Sequence, residues 1–146
     1  MSNDYQYRVC LSIVHPTIDP SLITQTIEHL RPRISIQAGS LRIDKDGKPF
    51  TPNRFAELSH WLANLHDGTV YSGDILLCDF IRNRLIELAK HRSFFAHLSE
   101  EGQVAFKCDC FNEENCSSTV LSAKTFKLCG ELEIDLELNI YNYVPT

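Results

Sequence analysis

From Glu131 to Ile140 the chain alternates with period two. Leu132, Ile134, Leu136, Leu138 and Ile140 fall on one side, and Glu131, Glu133, Asp135, Glu137 and Asn139 on the other. Successive side chains of a β-strand point to opposite faces of its sheet. The run is therefore expected to be a strand with an apolar inner face and four carboxylates outside, same-face neighbours lying roughly 7 Å apart. No Lys or Arg within the run neutralises them. A strand of this kind needs a sheet to join and a layer to cover its apolar side, which constrains the fold more than any other stretch. It is a surface feature and carries no catalytic signature.

Net charge sharpens that reading. The chain of 146 residues has a formal charge of −5, unevenly spread: residues 1–99 hold 11 basic and 10 acidic side chains, residues 100–146 only 3 basic against 9 acidic. The acidic C-terminal third disfavours phosphate backbones and favours a basic protein partner. Its plain alternative is a solvated face that keeps sheet edges from aggregating. With 43% hydrophobic residues the chain is expected to form one domain over 1–146, with a core that needs no staples. Residues 1–4 lack the basic and apolar segments of a signal peptide, and no apolar run reaches the roughly 20 residues of a membrane span. A soluble, cytoplasmic protein without a membrane association is expected.

The elements alternate along the chain. Tyr5, Tyr7, Val9, Leu11 and Ile13 mark a first strand, ended by His15-Pro16. Asp19 is placed to cap a helix starting at Pro20, with Leu22, Ile23, Thr26, Ile27 and Leu30 as its stripe and Arg31-Pro32 as its stop. A second strand carries Ile34 and Ile36, an irregularity follows at Gly39-Ser40, and residues 44–47 make a turn. The stretch 51–65 reads two ways. Phe55, Leu58, Trp61, Leu62 and Leu65 fit a helical stripe, slightly favoured by periodicity, while a strand over Leu58–Asn64 competes with it. Ser72-Gly73-Asp74 introduces a long helix bearing Leu77, Phe80, Ile81, Leu85 and Leu88, kinked at His91-Arg92-Ser93 before Phe94, Phe95 and Leu98. A strand follows over Gln103–Phe111. Ser122 caps a short helix, and Gly130 is expected to stop it before the acidic strand.

Chemistry-bearing groups give weaker signals. Cys108-x-Cys110-x5-Cys116, with Cys129 downstream, could surround a zinc ion. Cys108 and Cys110, however, continue the inward row of Val104 and Phe106, and free cysteine is among the most buried side chains, so core packing is the simpler account. No metal or other cofactor is expected, and without a secretion signal reduced thiols are expected. The six histidines show no metal-ligand spacing, and Asp44-x-Asp46-Gly47 lacks the later ligands of a calcium loop. Arg31, Arg33 and Arg42 are too sparse for a nucleic-acid surface. No catalytic residue is assigned.

Several segments taken in order resemble a bacterial family known as domain of unknown function 4279. They are the first strand with Asp19-Pro20; the turn at Asp46-Gly47-Lys48-Pro49; Ser59-His60-Trp61-Leu62; the long helix; and the block from Leu121-Ser122 through Phe126, Leu128 and Gly130 to Ile140-Tyr141. The resemblance implies an α+β fold with an antiparallel sheet and tips the Trp61 segment toward a strand. It carries no catalytic residues, and its hint at function is that genes of this type look like members of bacterial toxin neighbourhoods. The expectation is thus an α+β protein whose antiparallel β-sheet has helices packed on one face. It would be a non-catalytic intracellular binding protein of the immunity type, meeting a cationic toxin domain through Glu131, Glu133, Asp135 and Glu137, with Glu113 and Glu114 beside them. The competing expectations are a small-ligand protein or enzyme with a pocket near Trp61, Tyr71 and the histidines, and a thiolate metal protein.

Overall fold

The computed structural model describes residues 4–113 and 118–145. Strand β1 (Gln6–His15) is the axis of the molecule. It pairs antiparallel with β3 (Ser59–Asn64) along one edge and with β5 (Gln103–Phe111) along the other, and the short β4 (Val70–Tyr71) extends the β3 side. With β2 (Pro32–Ile36) and β6 (Asp135–Tyr141) the sheet runs β2-β3-β1-β5-β6. An α+β fold is what the sequence led one to expect. One pairing departs from the expected antiparallel arrangement: β6 lies parallel to β5, so the sheet is mixed. The cause is the helical crossover joining them, which carries the chain from the end of β5 back to the end at which β5 began, so that β6 runs in the same direction.

The alternation of β1 decides what the sheet buries. Tyr7, Val9, Leu11 and Ile13 are each at most 1% exposed and share a face with Trp61 and Ala63 of β3 and Phe106 and Cys108 of β5. All the helices cover this face, and their buried residues join the strands in one cluster. Helix α1 (Pro20–Thr26) begins as expected, with the Asp19 carboxylate accepting the Ser21 N–H. It stops short of the expected length, although Ile27 and Leu30 still reach the core. The long apolar stripe forms α2 (Leu77–Leu88), breaks in a 3-10 turn at Ala89–His91, and continues as α3 (Arg92–Ser99). The break overlaps the expected kink at His91 but begins two residues earlier, and Arg92 and Ser93 already belong to α3. Among the described residues no helix is long and apolar enough to cross a membrane.

The Trp61 segment is strand β3, as the family resemblance suggests and against the helical stripe. Phe55 and Leu58, needed for that stripe, are 58% and 48% exposed. They belong to an arm between β2 and β3, held by isolated bridges at Leu41 with Phe55 and at Ile43 with Pro49. At its tip Asp44 Oδ1 accepts from the N–H groups of Asp46 and Lys48, and Gly47 supplies the positive φ of the turn.

The acidic run needs the largest correction. Helix α4 (Ala123–Leu132) is capped by Ser122, whose hydroxyl accepts the Thr125 N–H, and it continues two residues beyond Gly130. Thr125, Cys129 and Leu132 recur at helical spacing and are all buried. Leu132 thus satisfies both a helical and a strand period, and the helix claims it. Glu131 lies in the last turn of α4, and Glu133 closes the helix in the left-handed region at φ 55°. Strand pairing begins only at Asp135.

Candidate functional site

Of the four expected carboxylates, only Asp135 and Glu137 therefore stand on a strand. Their register partners are Ala105 and Lys107 of β5, and Asn139 pairs with Asp109. All of these face away from the helices. Asp135 accepts a hydrogen bond from Gln103 Nε2 at 3.0 Å. Glu137 accepts one from Asn139 Nδ2 at 3.2 Å and lies 4.0 Å from Lys107 Nζ. Asn139 also donates to Asp109. Asp109, Asp135 and Glu137 thus share this corner of the open face with Lys107, and Arg8 of β1 stands opposite Asp109 in register. An exposed pair 4.0 Å apart binds its members weakly, so with Arg8 facing Asp109 the negative charge of the patch rests on Asp135 and Glu137.

The remaining acidic candidates lie elsewhere. The Glu131 carboxylate sits 3.6 Å from Arg92, whose Nε also donates to the Glu131 carbonyl. Glu133 is exposed at the helix-to-strand corner, where its carbonyl accepts from Ser99. Glu113 follows β5 at the far end of the sheet, beside Asp4 and Tyr71. Six residues of β-strand separate that end from Asp135, about 20 Å, so Glu113 does not join the patch. Glu114 lies outside the described residues, as does Cys116.

Residues that the sequence places in the core turn out to flank the carboxylates. Leu138 and Ile140 project toward the helix layer, opposite Cys108 and Cys110 of β5, but are 42% and 73% exposed. Helix α4 packs mainly on α2 and α3 and touches β6 little. With Tyr5 and Thr119, whose hydroxyls are hydrogen-bonded at 2.8 Å, they border a mainly apolar cavity of about 290 Å³. Alternation identifies both as one-sided residues but carries no information on how far the helices extend.

The pocket expected around Trp61 and Tyr71 does not form. Trp61 is fully buried, and its indole N–H donates to Thr24 Oγ1. Trp61 stands opposite Ile13 of β1 and Tyr71 opposite Gln6, seven residues or roughly 23 Å apart along that strand.

The thiols pack as the inward row of β5 suggests. Cys108 is fully buried, and burial pushes Cys110 up to about 11. At Cys78 burial acts in the same direction, but hydrogen bonds from Thr125 and Ser122 outweigh it and hold the thiol below its ordinary value. Among the described residues no group of three or more His, Cys, Asp and Glu side chains could hold a metal ion.

Two histidines act as backbone caps. His15 Nδ1 accepts from the N–H groups of Thr17 and Ile18, and His66 Nε2 accepts from Val9 N–H while its ring packs edge-on to Tyr7 and Phe80. An acceptor nitrogen fixes the tautomer, so the His66 proton sits on Nδ1, near the Asp67 carbonyl. Burial lowers the His66 pKa, and protonation would also set a second donor against the Val9 N–H. The unfolded chain takes up this proton near pH 6.5, whereas the native state takes it up at lower pH. The stability His66 provides is therefore present above about pH 6.5 and is lost as pH falls through its native pKa, with a limiting slope of about 1.4 kcal/mol per pH unit. Urea midpoints at pH 7.5 and 5.5 are expected to show a smaller acid loss in His66→Gln than in the unsubstituted protein. Equal losses would remove His66 from the account.

Comparison with protein-family models, with curated proteins and with solved structures finds no match to the chain.

Proposed function

We propose that the chain is a non-catalytic binding protein of the immunity type, acting in the cytoplasm and capturing a basic protein partner at its C-terminal edge. The observation that carries this reading is the pair of exposed carboxylates, Asp135 and Glu137, fixed on a rigid strand at the edge of the sheet. Asp109 of β5 stands between them and Arg8, so the field is theirs. Fixed like charges on a rigid surface raise encounter rates with a cation and penalise acidic competitors. The buried state of Trp61 and the use of His15 and His66 as backbone caps favour binding over a pocket enzyme.

Titration of the purified protein with cationic nuclease domains, at low and high salt, tests the reading. A complex is expected that weakens as salt rises. Asp135→Asn with Glu137→Gln should lower affinity by on the order of tenfold, mostly through the association rate, and flatten the salt dependence. Both side chains are exposed, so the variant should remain folded. Unchanged affinity in a folded double variant would remove this surface from the function.

A further inference from the structure

Resting on this binding reading, we infer that β6 takes the partner as an added strand along its outer edge, and that the incoming segment alternates basic with apolar residues. Among the described residues β6 pairs only with β5, which leaves its other edge of N–H and C=O groups without a strand partner. Such an edge is a template for β-addition. Proteins that keep an edge closed use charged side chains, proline, a bulge or a very short strand, and the only charges on β6, Asp135 and Glu137, repel an acidic strand but not a basic one. The seven residues Asp135–Tyr141 contain no proline or lysine, and their register with β5 is unbroken.

The two faces of β6 define what would fit. On one side an added strand meets Asp135 and Glu137, and on the other it meets the exposed Leu138 and Ile140 beside the apolar cavity at Tyr5 and Thr119. Side chains of an added strand alternate between the same two faces, so one set is matched by Lys or Arg and the other by aliphatic groups. A second copy of the chain matches poorly. Two β6 strands paired about a two-fold axis normal to the sheet keep their like faces together, which would set four carboxylates on one ribbon.

The probe is a capped seven-residue peptide alternating lysine and valine, titrated into the full chain by calorimetry. Two further peptides carry N-methyl groups, one on the lysine amides and the other on the valine amides. Amides of successive residues point to opposite edges of a strand, so strand addition requires one methylated set to lose at least tenfold in affinity while the other stays within about threefold of the parent. Ile140→Glu, at a position 73% exposed, should also weaken the parent peptide while leaving the fold intact. If both methylated peptides bind as the parent does, and all respond to Asp135→Asn with Glu137→Gln, the acidic surface stands and strand addition is overturned. Failure of the parent peptide to bind at millimolar concentration overturns strand addition. Indifference of the cationic domains to the double variant overturns the binding reading itself. Self-association through β6, seen as a dimer that Ile140→Glu dissolves, likewise overturns the choice of partner.

Discussion

Trp61→Ala is expected to reduce the unfolding free energy by about 3–5 kcal/mol, the usual cost of removing a large aromatic from a core. Trp61 is completely buried on β3, in the layer between that strand and α1, and faces the same side as Ile13. Truncation opens a space bounded on one side by rigid sheet, which cannot collapse to fill it. The same change removes the donor that Thr24 accepts at 3.1 Å. Helix α1 has only seven residues, too few to persist without tertiary support, so its docking should loosen with the indole. Trp61→Phe separates the two contributions: it keeps most of the packing and gives up the hydrogen bond, for a loss of about 1 kcal/mol. Urea denaturation with an unchanged m-value is the measurement. A loss below about 1 kcal/mol in the alanine variant would mean that the β3–α1 layer is not the packed core described here.

Gly102→Ala and Gly130→Ala are expected to act with opposite signs. Gly102 links α3 to β5, where its N–H closes onto the Leu98 carbonyl. A Cβ there would lie 2.4 Å from the Val14 carbonyl oxygen and 3.1 Å from the His15 Cα. Both atoms are backbone at the end of the central strand, so relief requires β5 to move relative to β1. The expected loss is about 2–3 kcal/mol, at the upper end for overpacking. Gly130 sits inside α4, and a Cβ there meets nothing within 4 Å. Alanine at that position should raise stability by about 1 kcal/mol through helix propensity and reduced freedom of the unfolded chain. Thermal midpoints of the two variants, measured side by side, check both signs. Equal shifts would contradict the close approach at Gly102.

The same glycine shows where the sequence is ambiguous. Gly130 reads as a helix stop because glycine commonly follows the last turn. The stop is instead Glu133, a residue that rarely adopts the left-handed conformation. The choice is made by the packing of Cys129 and Leu132, which no local signal outweighs. Strand β5 was legible, since its inward row Val104, Phe106, Cys108 and Cys110 is uninterrupted. The α2–α3 stripe was legible too, although its break at Ala89–His91 starts two residues before the expected kink at His91-Arg92-Ser93. Strand β3 was obscured because it lies between β1 and β2: Trp61 is buried on one face and Leu62, at 7% exposure, on the other, which erases the period of two. The two residues of β4 are too few to have any period. Of the candidate site, the outward set at Asp135 and Glu137 was readable, while the exposure of Leu138 and Ile140 depends on where a distant helix ends.

The central position of β1 sets the order in which the chain can fold. It precedes β2 to β6 along the chain, yet its longest ladder joins Gln6 to Phe111 and Val14 to Gln103. As synthesis proceeds, β1 can close first onto β3, after the intervening arm has emerged, and its second edge stays unoccupied until residue 111 leaves the ribosome. Closing so long a loop makes this ladder the slow event in folding. A nascent or truncated chain ending before β5 would expose the hydrophobic row of β1 along an open edge, which makes the aggregation risk of this protein greatest during its synthesis.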